Sequence, residues 1–97
     1  MNSSSPIKKR VVETALNKKG FDPKDGDHNF FYLYVNGKKT SIFTKTSHSH
    51  KEVSVQLINQ MARQLKLTSS QFREFIRCTI SEEKYIEILK SKGEISL

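Results

Sequence analysis

Asn36-Gly37 is the feature that most constrains this chain. It sits between two stretches of strand character, His28-Asn29-Phe30-Phe31-Tyr32-Leu33-Tyr34-Val35 before it and Lys38 to Lys45 after it. Both central residues of a type I′ turn need positive φ, which asparagine and glycine accept readily, so the pair predicts a two-residue hairpin. Once the turn is fixed, alternation assigns the faces. In the first strand Phe31, Leu33 and Val35 share one face and His28, Phe30, Tyr32 and Tyr34 the other. In the second, Ile42 opposes Ser41, Phe43 and Lys45. A tyrosine can present an apolar ring and a wet hydroxyl, so apolar groups on both faces do not require burial of both.

The flanking segments supply one more strand and four helices. Phe21-Asp22-Pro23-Lys24 has room for a short strand, and proline, which cannot donate to a ladder, puts it at an edge. Ahead of it, Ser5-Pro6 has the form of a helix start. The helical spacing of Ile7, Val11, Val12, Ala15 and Leu16 follows, closed by Gly20 with Phe21 as the apolar contact. After the hairpin, the loop Thr46-Ser47-His48-Ser49-His50, with Ser49 as cap, leads into a helix over 51–66. Its core stripe is Val53, Leu57, Ile58, Met61, Ala62 and Leu65. Thr68-Ser69-Ser70-Gln71 forms a capping box for a short helix with Phe72, Phe75 and Ile76 inward. Ser81 caps the last helix, which has Glu82 and Glu83 in its first turn, Tyr85, Ile86 and Leu89 inward, and Gly93 at its end. The order α-β-β-β-α-α-α predicts an α+β fold with helices on one face of a three-stranded antiparallel sheet. It forms one domain over 1–97, with an α-β-β-β-α core at 6–66 and a helical extension at 67–97.

A chain of 97 residues can build one modest core. Its 17 Lys and Arg against 10 Asp and Glu, a net +7, favour a polyanionic partner, nucleic acid before anionic membrane. The single cysteine, Cys78, excludes an internal disulfide and a thiolate metal site; beside Phe75, Ile76 and Ile80 it is expected to be a small buried hydrophobe. Residues 1–5 are polar and expected to fray. With no signal-peptide pattern, spanning apolar run or lipidation motif, the expectation is a cytoplasmic protein with no membrane partner.

His28 follows the breaker run Pro23-Lys24-Asp25-Gly26-Asp27 and opens the aromatic strand, which holds it on a rigid element near solvent. Imidazole, with an ordinary pKa of about 6.5, can take or give a proton near neutral pH. The competing reading is an ordinary surface histidine. Asp22, Asp25 and Asp27 suit a turn; the segment is too short for a calcium loop and lacks the downstream glutamate. His28, His48 and His50 could in principle gather as a zinc site, but the expectation is no metal and no cofactor. A helix-backed sheet with a basic surface suits RNA, with unstacked bases on aromatic rings. Tyr32, Tyr34 and Phe43 are the candidate stacking residues, unless the extra helices cover them. Lys18, Lys19, Lys38, Lys39 and Lys45 are the candidate phosphate contacts, with Lys8, Lys9 and Arg10 adding charge at the other end of the first helix.

Leu16-Asn17-Lys18-Lys19-Gly20-Phe21, followed by Gly26-Asp27-His28-Asn29-Phe30-Phe31, resembles the HicA family of toxins, as does Lys51-Glu52-Val53 running into Leu57-Ile58 and Gln64-Leu65. The resemblance spans about residues 7–66. It implies a double-stranded-RNA-binding-like fold, metal-independent endoribonuclease activity on mRNA and neutralisation by a HicB-type antitoxin. The family's catalytic histidine corresponds to His28. Asp27 stands where serine or threonine is commoner in the family, and the segment after Thr68 exceeds the usual domain. General-base catalysis by His28 toward a ribose 2′-hydroxyl is chemically sufficient for slow cleavage, with His48, His50 or Asp27 as candidate acid or orienting groups. The other class of function open to the same fold is a non-catalytic module binding RNA or a protein.

Overall fold

A computed structural model describes residues 5–77 and 79–95, so the expectations for residues 1–4 and Cys78 lie outside the described part. The hairpin forms as the Asn-Gly pair dictates: Asn36 has φ 53° and Gly37 φ 75°. They join strand β3 (Asn29–Val35) to strand β4 (Lys38–Thr46). Strand β2 (Phe21–Lys24) adds to the far side of β3, giving an antiparallel sheet in the order β2-β3-β4 with the proline strand at an edge. Between the Tyr32–Phe43 and Tyr34–Lys39 pairs the β3–β4 register shifts. There the Thr40 hydroxyl bridges the irregularity, donating to the Leu33 carbonyl at 2.8 Å and accepting from the Ile42 amide at 3.1 Å.

One face of the sheet is buried. Phe21, Phe31, Leu33, Val35 and Ile42 join a single core with Val12, Ala15 and Leu16 of helix α1 (Lys9–Lys18) and Ile58, Met61 and Ala62 of helix α2 (Val55–Gln64). Helix α3 (Ser69–Ile76) lies between α1 and α2. Helix α4 (Glu82–Ser91) closes this side through Tyr85, whose ring packs on Phe75 at 4.6 Å and Phe21 at 6.1 Å. The Tyr85 hydroxyl donates to the Leu65 carbonyl at 2.9 Å. The extension therefore belongs to the helical layer and leaves the opposite face of the sheet open.

The expected caps at Thr68 and Ser81 are present, the first as a full capping box. The first two helices begin later than their sequences suggested. Ile7–Lys8 is a strand, β1, paired with a second short strand, β5 (Glu52–Val53), so α1 starts at Lys9 and not at Pro6. Pairing Ile7 with Val53 puts both against the core, and that tertiary gain overrides the local Ser-Pro start signal. Val53 is therefore buried from a strand, and the cap of α2 is Ser54, whose hydroxyl accepts from the Leu57 amide at 3.2 Å; Ser49 plays no such part.

Candidate nucleic-acid interface

The open face presents a row of aromatic rings. Tyr32 and Phe43, cross-strand neighbours, are stacked with centroids 5.5 Å apart, and Phe30 continues the row at 6.3 Å from Tyr32. All three are half-buried, and the two phenylalanines lie outside the core cluster. The Lys39 ammonium sits 4.1 Å above the Tyr32 ring centroid, a cation–π contact. Alternation sets Lys45 and Tyr34 on this face too, both half-buried, while Lys38 projects exposed from the hairpin end. On the edge strand Lys24 pairs with Asp22 at 3.1 Å; that hydrogen bond and charge raise the Lys24 pKa above its ordinary value. Lys24 and Phe30, residues the sequence reading left out of the site, are recoverable from the alternation of β2 and β3.

His28 lies just before β3, at the end of this row, its ring 6.2 Å from that of Phe30 and edge-on to it. Its side chain is 39% exposed, and its Nδ1 is buried without a hydrogen-bond partner among the described residues. The Asp27 carboxylate stands 3.7 Å from Nδ1, within ion-pair reach yet too long for a hydrogen bond that would fix the ring. His48 folds back to the same turn, its Nε2 3.0 Å from the Gly26 carbonyl. The His50 ring instead engages its own loop, through Ser47 Oγ at 3.0 Å.

This end of the sheet is held from beneath by groups that sequence reasoning missed. Glu13 of α1 accepts from the Thr46 hydroxyl at 2.6 Å and the Asn29 amide at 3.3 Å, tying together a cross-strand pair beside His28. Lys9 donates to the carbonyls of Ser47 at 2.8 Å and His48 at 3.2 Å. Glu13 and Lys9 are one helical turn apart, the spacing that gave the only available signal.

Lys18 is exposed on α1, and the five proposed phosphate contacts do not form one surface. Lys19 is only 6% exposed, and its ammonium donates to the carbonyls of Phe75 and Ile80, the latter at 2.7 Å, and sits 4.5 Å over the Phe75 ring. It fastens α1 to the end of α3 and is withdrawn from solvent. Among the described residues no three His, Cys, Asp or Glu side chains gather as a metal site, and no helix is long and apolar enough to cross a membrane. A comparison with protein-family models, curated proteins and solved structures returns no match, so the likeness to HicA toxins rests on the residues quoted for it.

Proposed function

We propose that this chain binds single-stranded RNA across the open sheet face and that His28 cleaves the bound strand. The observation that carries the reading is the stacked row Phe30, Tyr32 and Phe43 with the Lys39 ammonium over Tyr32, on the one face of the sheet that no helix covers. Stacking accepts any base, because every base has a π-face, and the neighbouring lysines meet the phosphates. The same reading takes residues 6–66 as a double-stranded-RNA-binding-like core and the protein as a HicA-type mRNA interferase, active in the cytoplasm and neutralised by a HicB-type antitoxin.

Cleavage needs one base near the ribose and a proton for the leaving oxygen. His28 removes the 2′-hydroxyl proton, that oxygen attacks the adjacent phosphorus, and the bond to the 5′-oxygen breaks to leave a cyclic phosphate. The position of His28 at the end of the aromatic row supports this role, because a base stacked on Phe30 brings its ribose and phosphate toward the imidazole. His48, hydrogen-bonded at the Gly26 turn, is the candidate acid for the 5′-oxygen. An RNA digestion in EDTA tests the activity: wild type cleaves, and folded His28→Ala falls by about 10² to 10⁴ in rate. Amide chemical-shift mapping tests the platform, with shifts expected along β3 and β4 and absent from α3 and α4. If RNA is bound as mapped and neither protein cleaves, the module is a non-catalytic RNA binder. If shifts fall on α3 and α4 instead, the platform reading fails.

A further inference from the structure

The sheet face is not the molecule's only cationic feature. A cleft of about 1290 Å³ runs beside the β1–β5 pair, walled by the start of α1, the 48–51 loop and the start of α2. Lys8, Arg10 and Lys51 line it exposed, together with His48 and His50, and Glu52 is the one carboxylate among its described residues. Among the described residues, Lys8, Arg10 and Lys51 have no carboxylate within ion-pair distance. Lys9 is different: its ammonium is used by the loop carbonyls, which makes it part of the wall. Both helices that begin here have no acidic residue in the first turn, so their positive ends add to the lysines instead of being neutralised.

We infer that this cleft is a second RNA site, one that holds the phosphodiester backbone of the strand beyond the segment stacked on the sheet. The inference takes its ligand class from the proposed function and its location from the cleft's own charges. Among its described residues the lining has Pro6 and Val55 as the only apolar side chains, and none is a Trp, Tyr or Phe anchor of the kind that carries protein interfaces. It is concave, whereas a lipid surface meets a convex or flat patch. Serine, glutamine and cations are the groups that contact phosphate and position a strand without reading its bases. Continuity with the sheet face comes from His48, which lines the cleft and also bonds the Gly26 carbonyl, two residues before His28. A strand leaving the aromatic row past His28 therefore meets the mouth of the cleft.

Fluorescence anisotropy with uniform RNA oligomers of about 4 and about 16 nucleotides, spanning the range of single-strand site sizes, tests the inference. Wild type should bind the longer RNA at least about tenfold more tightly. Its logarithmic salt slope should be steeper by about 2, at about 0.7 per phosphate neutralised by the three free cations. The Lys8→Glu/Arg10→Glu/Lys51→Glu variant, and its triple-alanine counterpart should charge reversal unfold the chain, should lose that gain and keep wild-type binding of the short RNA. Wild-type affinity and slope for the long RNA in the alanine variant overturn the inference. So does a cleft-dependent affinity for phosphatidylserine vesicles or polyglutamate with none for RNA. If Tyr32→Ala and Phe43→Ala leave both RNAs bound while the cleft variants still weaken the long one, the cleft stands and the sheet-face reading falls.

Discussion

The His48 imidazole reaches back across the end of the sheet to the carbonyl of Gly26, 3.0 Å away, and so couples the loop after β4 to the turn that carries His28. The bond is solvent-exposed, so its removal should change local order more than global stability. In His48→Ala, amide hydrogen exchange at Gly26, Asp27 and His28 should accelerate while the denaturation free energy falls by less than about 1 kcal/mol. Unchanged exchange at those amides would show that the turn holds its own shape.

Lys19 should behave as a core residue. Removing its ammonium leaves two buried carbonyls, those of Phe75 and Ile80, without their charged donor. Lys19→Met should cost on the order of 3 kcal/mol in chemical denaturation, against about 0.5 kcal/mol or less for the exposed neighbour Lys18→Met. Equal small effects would put the Lys19 ammonium in solvent.

Arg73 should behave in the opposite way. It is 4% exposed, and among the described residues none of its guanidinium nitrogens Nε, Nη1 and Nη2 has a hydrogen-bond partner. Burial, then the like charge of Arg77 one turn on, pushes its pKa below the ordinary value. An unpaired buried charge is unfavourable, so Arg73→Leu should raise stability by about 1 kcal/mol or more. A loss of stability would mean that the guanidinium has a partner in solution.

Tyr85 should make the fold sensitive to alkali. Burial, and secondarily the Glu94 carboxylate, raises its pKa well above the ordinary value of about 10. The folded protein therefore keeps this proton at pH values where the unfolded chain has lost it. That contribution is complete below about pH 10 and declines as pH rises further, by up to about 1.4 kcal/mol per pH unit. Denaturation between pH 9 and 11 should show the decline in wild type and a shallower one in Tyr85→Phe, with equal slopes contradicting the assignment.

Sequence legibility followed the range of the interactions. Asn36-Gly37, the Thr68 capping box and the Ser81 cap act within a few residues, and each is found where the sequence puts it. The β1–β5 pair joins residues far apart in the chain, and no local pattern announces it. Lys66, just past α2, adopts the left-handed region at φ 64°, where sequence rules look for glycine; the sequence ended that helix at 66, and it ends at Gln64. Gly20 was legible as a helix end but not in its second role: a Cβ there would lie 2.7 Å from Glu82 Oε2, because α4 begins against this turn. In the site, alternation found the aromatic face, whereas the burial of Lys19 and the tie from Glu13 to Asn29 and Thr46 depend on helix packing that composition does not encode.

The sheet face is tested most directly by the affinity of a single-stranded RNA for wild type, Tyr32→Ala and Phe43→Ala, read by fluorescence anisotropy at fixed salt. Each ring supports about one stacked base, worth about 1–3 kcal/mol, so each alanine should weaken binding by roughly 5- to 150-fold with the fold retained by circular dichroism. Wild-type affinity in both variants would contradict an RNA platform on this face.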